Sequence, residues 1–170
     1  MTKPKKENGI EINEDMDFQR RSWTVQRAGW AAMLLFVIAG AMGVFGSGPV
    51  SSAHVGIEGS SFRMKYDRFI RLRAPTQVSI DLGSGAVQPD STVRIWFDSE
   101  WLSAFEVQSV TPEPEETELA GNRIIHVFRV RGSTAPRINY DLEGQKGGRI
   151  TGMAGLVNGA SFRFSQLAYP

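Results

Sequence analysis

Ala28 to Gly46, AGWAAMLLFVIAGAMGVFG, restricts this chain more than any other stretch: about 19 residues without a charge. As a helix it is roughly 28 Å long, close to the roughly 30 Å hydrocarbon core of a bilayer. In water such a helix exposes apolar surface all round, whereas in lipid it satisfies its own backbone hydrogen bonds. The spacing therefore predicts a transmembrane helix over 28–46. Around it the chain divides into a polar, disordered cytoplasmic tail (1–16), a basic and aromatic juxtamembrane segment (17–27), a small-residue tether (47–60) and a folded module (61–170).

Charge orients the span. Arg20, Arg21 and Arg27 precede it, and the first cation after it is Arg63. Basic residues stay on the cytoplasmic side, so the N-terminus is expected in the cytoplasm and 51–170 outside. Arg20, Arg21, Trp23, Arg27 and Trp30 suit the lipid interface, where Trp rings and snorkelling Arg side chains sit. A rival reading is a secretory signal cut after Ala53, since Ser51 and Ala53 fit the small-x-small pattern. The five acids of the leader and the length of the apolar run argue against it. That rival would release a secreted glycan- or ligand-binding module with Trp96 and Trp101 as an aromatic platform.

Ala28, Ala32, Ala39, Gly43 and Gly46 fall on one helical face. Small residues let helix backbones approach closely in lipid, so this face predicts an integral membrane partner or self-association. Nothing ionisable lies within the span, which excludes a proton relay or gating charge there.

Beyond the span the pattern has period two. Phe62, Met64, Tyr66, Ile70 and Leu72 alternate with Arg63, Lys65, Asp67, Arg71 and Arg73, with a bulge or break expected near Asp67. Arg63, Lys65, Arg71 and Arg73 then form one outward basic row, a candidate binding surface. Further strands are expected at 77–82, 91–98 with Trp96 facing away from the core, 105–111, 123–131 and 138–142. A closing pair around Asn158-Gly159 is a hairpin signal. The acidic stretch 112–118 reads as a solvated hairpin end. About eight short strands predict a mainly β fold, an immunoglobulin-like β-sandwich, with a small open barrel as the alternative.

The chemistry expected is sparse. The chain has no cysteine and two histidines, which excludes disulfides and thiolate chemistry. After Val50 there are 13 Lys+Arg and 13 Asp+Glu, so no basic excess points to nucleic acid. His54 reads as exposed and His126 as packed within its strand. No nucleophile–base pair, metal cluster or phosphate loop is legible, so neither a catalytic residue nor a cofactor is expected. The join RRSWTVQRAGW–apolar–GVFGSGP and the ending FRFSQLAYP resemble a group of small uncharacterised bacterial single-pass membrane proteins with an extracytoplasmic β-domain. That resemblance implies architecture and an inner-membrane location and carries over no site residue.

Overall fold

The computed structural model describes residues 16–42, 50–56, 61–130 and 137–170. It comprises two compact units, Met1–Ala41 and Met42–Pro170.

The described part of the first unit is one helix, α1 (Met16–Ala41). No Gly-Pro pair or cap interrupts 17–27, so the juxtamembrane segment and residues 28–41 of the expected span share one helix, while 43–46 lie outside the described residues. From Phe18 to Ala41 it is long and apolar enough to cross a membrane, and none of it is buried. A signal sequence near an N-terminus meets the same description.

The second unit holds eleven described strands in two sheets. The first sheet contains β1 (Ser52–Val55), β2 (Phe62–Asp67), β4 (Pro75–Leu82), β9 (Arg137–Gly144) and β6 (Phe105–Thr111), adjacent in that order and antiparallel. The second contains β3 (Phe69–Arg71), β11 (Ser161–Tyr169), β10 (Gly148–Leu156), β5 (Thr92–Asp98), β8 (Arg123–Arg129) and β7 (Glu116–Ala120), in that order. Its pairs are antiparallel except β3 with β11.

Alternation decides what lies between the sheets. Phe62, Met64, Val78, Ile80, Ile138, Tyr140 and Leu142 face inward from the first, and Val93, Ile95, Phe97, Phe128, Ala154 and Phe164 from the second; together they form one core. Aromatic pairs bridge the layers, with Phe97 edge-on to Tyr140 at 5.0 Å and Tyr66 against Phe164 at 5.1 Å. The fold is mainly β with two facing sheets, and the described strands close no barrel.

The phase break near Asp67 is a change of sheet. Arg68 falls on the inward phase set by Phe62, Met64 and Tyr66, where an unpaired charge is costly to bury. The chain leaves the first sheet at that residue and enters the second. The Arg68 amide donates to the Ser51 carbonyl at 2.7 Å, and its carbonyl accepts from the Leu167 amide at 2.7 Å.

Three expectations need correction. Residues 52–55, within the expected tether, are β1, with Ser51 and Ala53 buried. Small polar residues hide an edge strand whose stability comes from main-chain pairing with β2. The acidic stretch expected to be loop becomes β7 from Glu116 onward, an edge strand on β8. The 158–159 hairpin is present, but across a four-residue connection, 157–160, in which neither Asn158 nor Gly159 takes a left-handed conformation.

Candidate functional site

The outer face of the first sheet is polar across all five strands. Ser52 pairs with Asp67, Gln77 with Asp141, and Asp141 with Ser109. Lys65 pairs with Ser79, and continuing that register sets Asp67 beside Gln77. The row therefore reads Ser52, Asp67, Gln77, Asp141, Ser109 from edge to edge. Gln77 Nε2 and Ser109 Oγ donate to the two Asp141 oxygens at 2.8 and 2.7 Å. Those bonds hold the Asp141 carboxyl below the usual carboxylate range, because they favour the charged form. Asp67 is shifted the other way, up, by partial burial, which the Lys65 charge and the Ser52 hydroxyl only partly offset.

Above this row lies a groove of about 460 Å³ whose lining includes Ser52, Lys65, Asp67, Thr76, Gln77 and Asp141. The Thr76 hydroxyl oxygen is buried without a hydrogen-bond partner. The arrangement offers ordered donors and acceptors on a pleated plate, which suits recognition of a polar partner. Among the described residues the buried polar or charged side chains are Ser51, Thr92, His126 and Gln166, so no carboxylate is buried there.

The outer face of the second sheet is graded in charge. At one end Phe69 pairs with Leu167, Leu167 with Arg149, and Arg71 with Tyr169. In the middle Trp96, Ile125, Val127 and Met153 form a small apolar cluster, with the Arg123 guanidinium 4.0 Å from the centroid of the Trp96 ring. At the other end Glu118 of β7 pairs with Arg94 at 3.4 Å and Glu115 with Arg129 at 2.8 Å.

The expected basic row does not survive the change of sheet at Arg68. Arg63 and Lys65 stay on the first sheet, in β2, while Arg71 lies in β3 of the second and Arg73 in the turn beyond it. Arg68, Arg149 and Arg163, which periodicity alone did not group, join Arg71 on the second face. Both tryptophans of the expected platform are covered: Trp96 is 4% exposed and Trp101 1%. Trp101 lies in α2 (Ser99–Leu102), capped by the Asp98 carboxylate. Its ring packs on Phe97, Phe105 and Phe164, and its Nε1 donates to Gln166 Oε1 at 3.0 Å. Gln166 Nε2 in turn donates to the Asp67 carbonyl at 2.8 Å, so this polar chain ties both sheets to α2.

His126 is buried, with Nδ1 2.8 Å from the Tyr140 hydroxyl. Burial pushes the imidazole pKa down and the Tyr140 phenol up. His54 is exposed on β1. In the first unit Arg27 lies 5.6 Å from the Trp23 ring centroid; Ala28 and Ala32 are exposed and Ala39 half-buried. Gly43 and Gly46 lie outside the described residues.

No protein-family model matches the chain, and no curated protein matches it by sequence. Among solved structures it is similar to a cohesin module of a family 33 glycoside hydrolase from Clostridium perfringens. That likeness has a TM-score of 0.40 at 6% identity and covers 69% of this chain and 96% of the module.

Proposed function

We propose that this chain is a non-enzymatic bitopic protein of the bacterial inner membrane. In this reading α1 spans the bilayer with a cytoplasmic N-terminus. An immunoglobulin-like β-sandwich outside acts as an accessory or scaffolding subunit for an integral membrane partner. One observation carries the reading: the described sandwich interior is filled by its own side chains, and its ordered polar groups lie on the sheet faces. Such a body works by surface contact rather than by enclosing a substrate. Its first strand starts at Ser52, about ten residues after Ala41, a reach of at most roughly 35 Å. A partner within that reach is a membrane protein or a polymer of the envelope. The alternative of a released glycan-binding module loses its aromatic platform, because Trp96 and Trp101 are buried.

A photo-crosslinker at Gln77 in intact membranes tests the reading. The expected result is one reproducible protein adduct, weakened by Gly43→Leu on the small-residue face expected from the sequence and by Asp141→Arg on the sheet. Recovery from membranes with no reproducible adduct contradicts it.

A further inference from the structure

The end of the second sheet formed by β3, β11 and β10 carries charge of one sign. Arg68, Arg71, Arg149 and Arg163 are all exposed there. Strand alternation sets the last three outward, since Ile70, Ile150 and Phe164 face the core. No carboxylate stands on β3, β10 or β11, and among the described residues none of the four arginines forms an ion pair. Between them lie half-buried Phe69 and Leu167, the latter 44% exposed. Arg68, Phe69, Arg149, Ser165 and Leu167 line a common groove of about 350 Å³.

Edge protection accounts for charge on an edge strand such as β3. It does not account for Arg163 one strand in or Arg149 two strands in. Four unneutralised guanidinium groups around an apolar centre match a surface with anionic headgroups over hydrocarbon. The chain enters the sandwich beside this patch: Ser51 Oγ lies 3.2 Å from the Phe69 carbonyl oxygen, and the Ser51 carbonyl accepts from the Arg68 amide. The roughly 35 Å reach from the span therefore ends beside these arginines.

We propose that this face docks on the anionic lipid surface of the membrane that α1 crosses. Phosphate groups pair with Arg68, Arg71, Arg149 and Arg163, and Leu167 and Phe69 rest on the headgroup–acyl boundary. The inference rests on the anchored reading above. Docking of this kind holds the sandwich in one orientation and leaves the first sheet's polar face free for a partner.

The chain has no cysteine, so a single Leu167→Cys substitution accepts one environment-sensitive fluorophore. The full chain is reconstituted into vesicles of phosphatidylcholine alone or with phosphatidylglycerol. Quenching by spin-labelled lipids is then read, with Glu118→Cys as the control at the opposite edge. Docking predicts strong quenching at 167 only with phosphatidylglycerol, reversed by 0.5 M salt, and little at 118. Arg68→Gln with Arg149→Gln lowers the docked-to-free ratio by roughly thirtyfold, from about fivefold per basic residue at an anionic surface. Arg163→Gln alone gives the smaller step, and an unchanged thermal midpoint keeps both variants interpretable.

Equal quenching with and without phosphatidylglycerol overturns the proposal. So does a loss of protein crosslinks in the arginine variants while position 167 is indifferent to lipid charge, which assigns the face to an acidic protein. Vesicle flotation separates the two failures: a chain that floats but does not dock refutes only this inference, and one that fails to float refutes the anchor as well.

Discussion

The four tryptophans divide evenly between the two units, and their surroundings are opposite. Trp23 and Trp30 of α1 are 62% and 66% exposed, while Trp96 and Trp101 of the sandwich are almost wholly covered. The sandwich hides even the tryptophan on its outer sheet face, under Arg123 and beside Ile125 and Val127. Apart from half-buried Ala39, the described side chains of the helix are exposed. One segment solves the hydrophobic problem by packing; the other is long and apolar enough to cross a membrane, as a signal sequence also is. The proposed membrane anchor builds on this contrast.

Substitutions sharpen the contrast. The largest effect is expected from Trp101→Ala, which removes the ring shared by Phe97, Phe105 and Phe164 and should cost about 4 kcal/mol of sandwich stability. Trp30→Ala should leave that stability unchanged; urea unfolding followed by near-ultraviolet dichroism compares the two, and equal losses would dissolve the distinction. Gly152→Val comes next. A side chain at 152 would begin 2.5 Å from the Trp101 Cβ, and overpacking of this kind costs about 3 kcal/mol. A thermal midpoint within a degree of the parent would show that the site has room.

Gln166→Leu should cost about 2 kcal/mol, because it strands the Trp101 N–H and the Asp67 carbonyl without partners. The same urea titration reads it, and a neutral result would mean that water replaces both bonds.

A smaller effect appears on acidification. The folded state holds His126 with a depressed pKa, so the unfolded chain binds the extra proton first. Stability is therefore complete above the ordinary histidine value near 6.5 and declines as pH falls below it toward the depressed folded value. His126→Asn should flatten that decline, and a slope unchanged by the substitution would place its cause elsewhere. The smallest effect belongs to Arg123→Ala, which uncovers Trp96 and should cost ~0.7 kcal/mol. It should also shift the tryptophan emission to longer wavelength.

Much of the fold was legible where alternation was clean. Val93, Ile95 and Phe97 face inward as expected, Trp96 faces away, and His126 is packed within its strand. Strand β1 was not legible, since Ser-Ala-His-Val carries little apolar signal and is held by pairing that a linear pattern does not contain. The polar row from Ser52 to Ser109 was hidden for the same reason: its members come from five separate strands, and only the register aligns them. Trp101 was misread because an aromatic after a polar break looks exposed until a four-residue helix turns it into the core. The basic row failed at a single residue. The break expected near Asp67 is there; reading Arg68 as an inward charge would have added that the strand must change sheets at it.

Alkaline carbonate extraction of native membranes, with the N-terminal residues of the recovered chain determined by mass spectrometry, tests the central claim most directly. The account predicts an intact chain that stays with the lipid pellet and retains residues 18–41. A chain recovered in the aqueous fraction, or one that begins near His54, would contradict it.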